Sequence, residues 1–247
     1  MKLYICLGIT LLLMFYALVS KSLNVKATLT AGIITFGMAF YGGYYILLMI
    51  ILVFFIDKLF RKITKNKNDG TRNEYQILAN LLPAYVAIIL YAYYEKDLFL
   101  IVSVACLAES LADTLASTIG VCAKHHLNIK SFKLDEDNDS GNISILGTLA
   151  SLFGALIITT IYYYFINSNF ETYLLITLIA VAGAFIDSLM GSYLQATYQC
   201  SKCKKKVDEP KHCNRKTKKL YGFKFINNSV VNFISQIITF IITFVIL

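Results

Sequence analysis

The sequence predicts an all-α protein, a polytopic transmembrane bundle of about eight helices, or seven, with both termini outside. Composition is the first reason: 57% of the 247 residues are hydrophobic, mean hydropathy is +0.63, and only 15% are charged. An ordinary soluble domain carries far fewer apolar residues and about a quarter charged ones. The second reason is a series of long apolar windows, and the third is a one-sided distribution of Lys and Arg.

A helix needs roughly 17–25 apolar residues to cross the hydrocarbon core. Such windows fall at about 3–20, 25–41, 44–60, 75–94, 98–120, 144–166, 172–196 and 228–247. The second and third are short and closely joined at Tyr41-Gly42-Gly43. Lys2 before the first run also fits a signal peptide, but no A-x-A-like site follows, so the run is kept as a span. Residues 1–247 read as one integral membrane domain, expected in the cell membrane, with 197–226 as a basic cytoplasmic loop.

Lys and Arg number 2 in the first loop (Lys21, Lys26), 5 in residues 61–74, 3 in 121–143 and 10 in 197–226, out of 23 in all. Lys2 and Lys96 mark the opposite face. The positive-inside bias therefore makes loops one, three, five and seven cytoplasmic. The net charge of +8 reflects topology and attraction to anionic headgroups rather than nucleic-acid binding.

Asp113 and Asp187 lie inside spans, surrounded by small and hydroxylated residues. A carboxylate at membrane depth costs roughly 3 kcal/mol or more, so it faces a polar cavity and marks a site. Asp113 is seven residues from the end of its helix, about 10 Å at 1.5 Å per residue. Asp187 and Asn80 lie similarly deep, and Thr148 and Ser151 shallower. Glu109, Asp113 and Ser117 share one helical stripe; Gly183, Asp187, Gly191 and Gln195 form another. The glycines read mainly as close helix packing and the acids as function.

Carboxylates beside Arg72, Lys124 and Lys130 suit a divalent cation and anionic phosphates. The segment Gly141-Asn142-Ile143-Ser144-Ile145-Leu146-Gly147-Thr148 leads into helix six, with Asn142 or Ser144 as N-cap. Such a helix start suits anions, although ordinary capping also explains it. The run Asp135-Glu136-Asp137-Asn138-Asp139 reads as a polar linker, and His125 and His126 as solvated loop residues. Tyr91, Tyr93, Tyr94 and Tyr162–Tyr164 are placed in an interfacial aromatic belt.

Several ordered motifs resemble the membrane family that includes plant phytyl-phosphate kinase and transmembrane protein 19, known as domain of unknown function 92. They are Arg72-x3-Gln76-Ile77-Leu78-Ala79-Asn80, Ala112-Asp113-Thr114-Leu115-Ala116-Ser117-Thr118-Ile119-Gly120 and Ser144-x2-Gly147-Thr148-x-Ala150-Ser151. Downstream follow Asp187-Ser188-Leu189-Met190-Gly191, Gln195, Cys200-x2-Cys203, His212-Cys213, Gly222 and Asn227-Asn228-x2-Val231-Asn232-Phe233-x-Ser235. The resemblance implies a kinase that converts an isoprenoid lipid monophosphate to the diphosphate. Further similarity to CTP-dependent polyprenol and phytol kinases implies CTP as the nucleoside triphosphate.

On that resemblance, Asp113 and Asp187 would hold magnesium, and Arg72 and Lys130 would meet phosphate. Asn80, Ser117, Asn142, Ser144, Thr148, Gln195, Asn228 and Asn232 would line the site. This chain departs from the family pattern at Leu115 and Thr118, where Trp and Glu are usual, and at Gly141-Asn142-Ile143, where the family has Asn-Gly-Gly. Either Glu109 and the loop acids compensate for the missing Glu, or the substrate differs, or activity is reduced.

Cys200-x2-Cys203 and His212-Cys213 offer four soft ligands in the basic loop. That spacing fits structural zinc; redox thiols and no metal are the alternatives. Cys6, Cys106 and Cys122 read as small apolar residues. Membrane-depth acids also serve transporters, so an ion-coupled transporter of a small anionic or lipid solute is the rival reading, with a non-catalytic scaffold third.

Overall fold

The computed structural model describes residues 2–64, 70–135, 141–166, 169–204, 206–208 and 210–247. The acids at 136–139 of the polar linker lie outside these residues. Among the described residues there are eight helices: α1 (Lys2–Val19), α2 (Val25–Gly42), α3 (Tyr44–Ile63), α4 (Glu74–Tyr94), α5 (Asp97–Gly120), α6 (Ile145–Ile166), α7 (Phe170–Tyr193) and α8 (Asn228–Ile246). Helices α4 to α8 are long and apolar enough to cross a membrane, and α1 carries a shorter apolar stretch.

Helix boundaries follow local chemistry. Asn24, Asn73, Asn169 and Asn227 each accept a backbone N–H in the first turn of α2, α4, α7 and α8, satisfying a donor that the helix cannot. Gln76 returns the favour to the Asn73 N–H at 3.0 Å, completing a capping box. The α2–α3 junction is the single residue Gly43, at φ 95° and ψ 178°, a conformation that glycine alone adopts without strain. That is how two short spans are separated by so little chain.

Helix α5 is the axis of the bundle, packed by α3, α4, α6, α7 and α8. Its run of Ser103, Ala105, Ala108, Ser110 and Ala112 is buried and small, which lets neighbouring backbones approach. Gly120 meets Gly147 of α6, and Gly154 of α6 rests on the Leu111 backbone. Large apolar side chains such as Leu12, Ile33, Leu178 and Val245 point outward, as lipid contact requires. Tyr93, Tyr94 and Tyr164 are exposed, but Tyr162 is buried in the core, not in the interfacial belt. It faces α5 and its neighbours because it falls on the inner face with Ala155 and Ile158.

The odd-numbered loops gather at one end. Leu23 bridges Arg72, Leu127 bridges Ile143, and Gln195 bridges Phe223. The loop between α7 and α8 is not plain coil: β3 (Thr197–Cys200), β4 (Lys206–Val207), β5 (Lys211–His212) and β6 (Arg215–Tyr221) form an antiparallel sheet of order β4-β3-β6-β5. A second, two-stranded sheet, β1 (His126–Asn128) with β2 (Lys133–Asp135), lies between α5 and α6.

Candidate functional site

A polar cavity of about 1220 Å³ opens at the end where the odd-numbered loops meet. Six helices build it: the N-terminal halves of α4, α6 and α8, the C-terminal half of α5, α7 from its middle to its C-terminus, and the last turn of α3 through Arg61. Of the residues expected at the site, Arg72, Asn80, Asp113, Ser117, Asn142, Ser144, Thr148, Asp187, Gln195, Asn228 and Asn232 all line it. Lys130 does not; its ammonium sits 3.6 Å over the ring of Tyr221, held by the small sheet. His126 was expected to be solvated but is 2% exposed and lines the cavity. Strand β1 turns it inward, while His125 stays exposed.

The wall is rich in directed polar groups. Ser144 is the N-cap of α6, its Oγ accepting the Gly147 N–H at 3.1 Å, while Asn142 lines the cavity from the preceding turn. Pro83 lacks the N–H that would bind the Ala79 carbonyl, so α4 loses a helical bond just before Asn80. Asn80 accepts from Asn232 Nδ2 at 3.2 Å, tying α4 to α8. Four buried oxygens on the cavity wall, Thr118 Oγ1, Ser151 Oγ, Thr197 Oγ1 and Asn232 Oδ1, have no hydrogen-bond partner among the described residues. Buried polar atoms normally have one, so these are positions for a polar occupant.

Sequence reasoning missed the partner of Arg72. Asp57 of α3 pairs with Arg72 Nη2 at 2.8 Å and with Arg61 Nε at 2.7 Å. The acid inside an apolar helix with an Arg four residues on marks the Asp57–Arg61 pair in the sequence, but nothing local marks Arg72. Beneath the cavity, Ser235 Oγ lies 3.0 Å from Glu109 Oε1 and 3.2 Å from Asp187 Oδ2, and it contacts the Asn232 carbonyl at 2.9 Å. One hydroxyl proton serves one acceptor at a time. Gln236 Nε2 donates to Glu109 Oε2 and to the Cys106 carbonyl. Glu109 is therefore structurally coupled to Asp187, while Asp113 accepts no hydrogen bond among the described residues.

The glycine strap is tightly fitted. Gly141 has φ 81°, and a side chain there would run into Ser192 and the Ser188 carbonyl. Ser192 Oγ donates to the Gly141 carbonyl at 2.9 Å. Gly183 packs on Glu109 and Thr239, whereas Ala184, Ser188 and Gly191 line the cavity beside Asp187.

Over the cavity mouth, β4, β5 and the turn between them contribute Lys206, Val207, Asp208, Pro210 and His212. On the same sheet, Cys200, Cys203, His212 and Cys213 bring their ligand atoms within 4.8 Å of one another. The Cys200 thiol is held down to about 6, first by the Cys203 backbone N–H and then by His212. The Cys213 thiol is pushed upward by desolvation and by the sulfurs of Cys203 and Cys200.

A bundle of this kind, with a polar, acid-bearing cavity at one end, defines a multi-pass integral membrane protein. The chain belongs to the family described as Integral membrane protein DUF92, which matches residues 8–240. It is also similar to an uncharacterized membrane protein of Methanocaldococcus jannaschii, 26% identical over 184 residues, covering 71% of this chain and 76% of the relative. No solved structure matches.

Proposed function

We propose that the protein is a lipid-phosphate kinase, transferring the γ-phosphoryl group of a nucleoside triphosphate, CTP by preference, to an isoprenoid monophosphate such as a phytyl or prenyl phosphate. One observation carries this reading. The polar cavity shares the wall residues Arg72, Asn80 and Thr114 with an apolar groove lined by Leu13, Met14, Ala17, Leu23, Phe54 and Leu81. An amphipathic substrate suits such a pair: a phosphate beside acids, arginine and amides, and the start of a hydrocarbon tail in the groove of about 80 Å³ between α1, α2, α3 and α4. A solute lacking a tail has no need of the groove.

In the transfer, a phosphate oxygen of the lipid attacks the γ-phosphorus. A new P–O bond forms while the bond from that phosphorus to the bridging oxygen breaks. Its electron pair leaves on the nucleoside diphosphate. Such chemistry asks the protein chiefly for positioning and charge stabilisation. Arg72, oriented by Asp57, meets phosphate charge, and the α6 start beside Ser144 and Thr148 offers first-turn backbone amides. Asn80, Ser117, Asn142, Gln195, Asn228 and Asn232 hold the remaining polar groups.

The donor set fits magnesium, since Asp113 and Asp187 both reach the cavity, and Mg²⁺ typically takes one or two carboxylates plus phosphates and waters. Asp113 and Asp187 would hold the ion, which would supply positive charge against the phosphates. Glu109 is committed to Ser235 and Gln236 and does not take the place of the family's Glu at Thr118.

The test is phosphoryl transfer from labelled CTP or ATP to phytyl, geranylgeranyl and longer prenyl monophosphates in detergent with magnesium. Diphosphate product, reduced by about 10²-fold or more in Asp113→Asn and Asp187→Asn, supports the reading. Absence of product with every lipid, in folded protein, overturns it in favour of an ion-coupled transporter.

A further inference from the structure

We propose that Cys200, Cys203, His212 and Cys213 form a tetrahedral zinc site that staples the β3–β6 sheet and fixes it as a roof over the cavity. This goes beyond the kinase reading and stands whatever the cavity binds.

The geometry is that of a closed site. Zinc bonded to sulfur at about 2.3 Å and to imidazole nitrogen at about 2.0–2.1 Å places its ligand atoms about 3.5–3.8 Å apart. His212 Nδ1 lies 3.5 Å from Cys203 Sγ and 3.2 Å from Cys213 Sγ, and all four ligand atoms fall within 4.8 Å. Two hairpin-like turns deliver them. Cys200 and Cys203 belong to a tight turn closed by the Lys204 N–H to the Cys200 carbonyl at 3.0 Å, with Lys204 at φ 61°. Adjacent His212 and Cys213 can both reach one point because Cys213 and Asn214 have φ 52° and 57°. Two successive left-handed residues make the two-residue turn between β5 and β6. Left-handed backbone is unfavourable for a non-glycine residue, and a bond from the Cys213 sulfur to a metal offsets that cost.

Charge balance agrees. Three thiols lose their protons on binding, so zinc, three thiolates and neutral imidazole carry one net negative charge. The segment 197–226 that carries it holds ten Lys and Arg residues, a basic setting that suits a negatively charged cluster. Four protein ligands leave no open position, so the role is structural. The consequence reaches the cavity because His212 is both a ligand and a wall residue, and Lys206 and Asp208 line the mouth from the same sheet. With only the segment 194–227 between α7 and α8, this small sheet has little core of its own, the circumstance in which a metal contributes most to folding.

The experiment is metal analysis of full-length protein purified in detergent without chelator, with cobalt(II) replacing the metal as a spectroscopic probe. Expected are one zinc per chain, the thiolate-to-cobalt and tetrahedral d–d bands, and loss of both in Cys203→Ser and His212→Ala. Cys122→Ser, outside the cluster, should keep them. Hydrogen exchange should rise over residues 197–221 in the ligand variants while α5 and α7 stay protected, separating loss of the staple from global unfolding. Zinc-free protein that also fails to bind cobalt, a disulfide among these cysteines, or zinc retained in both ligand variants would each overturn the proposal.

Discussion

Arg72 Nη2 rests 2.8 Å from Asp57 Oδ2, so the cation at the cavity wall, in the loop before α4, is held by an acid of α3. The same carboxylate also holds Arg61. Removing its charge frees Arg72 to adopt other rotamers without removing the guanidinium. Asp57→Asn should raise KM for the lipid phosphate about tenfold, which corresponds to roughly 1.4 kcal/mol, with a smaller change in kcat. Steady-state kinetics against lipid phosphate checks this, and an unchanged KM would show that Asp57 is only a packing partner.

Ser235 is the shared donor beneath Asp187 and Glu109. Ser235→Ala leaves two buried carboxyl groups without it, a cost of about 1–3 kcal/mol. In a chain of this size that lowers Tm by several degrees. Thermal unfolding in detergent measures it; equal Tm values for variant and wild type would sink the claim.

Gly141 and Gly8 give opposite expectations for the same substitution. At Gly141 a methyl group meets Ser192 and Ser188 under a left-handed φ, whereas nothing lies within 4 Å of one at Gly8. Gly141→Ala should lower both stability and activity. Gly8→Ala should leave them unchanged or slightly raise stability, since alanine is favoured over glycine in helices by up to about 1 kcal/mol. Parallel thermal and activity assays on the two variants decide it.

Ser144 offers a separation of capping from anion binding. Ser144→Ala removes the cap on Gly147 and should cost about 1 kcal/mol. Ser144→Asp keeps a capping oxygen and the stability but places negative charge where phosphate is expected. A raised nucleotide or lipid-phosphate KM in the Asp variant with wild-type Tm is the expected result; a KM equal to wild type would remove the α6 start from the site.

Much of the architecture was legible in the residues. The apolar windows matched α1 to α8 closely because a membrane span has a fixed length and an apolar composition, both local properties. The asymmetry of Lys and Arg brought the odd-numbered loops to one end for the same reason. Asp113 and Asp187 stood out because charge inside an apolar run is costly wherever the rest of the chain lies. Gln195 was reached through the helical stripe it shares with Asp187, Asn232 through motif order rather than through physics.

Other features needed distance. Nothing near Asp57 in sequence marks Arg72 as its partner, and nothing near Lys130 points to Tyr221. His126 looked like its solvated neighbour His125 because exposure is set by which way a short strand faces. The four-stranded sheet went unread since its strands are only two to seven residues long and polar, with no periodic apolar face.

The sequence by itself determined that this is a multi-pass helical membrane protein, which end carries the basic loops, and which acids lie at depth. These follow from single-residue transfer costs and from helical spacing. Only the tertiary structure decided that Asp113 and Asp187 share one cavity, that Glu109 serves Asp187 through Ser235 instead of facing that cavity, and that a cysteine-rich sheet roofs the mouth. Each is a contact between segments distant in the chain, and its energy depends on packing geometry that no local pattern encodes.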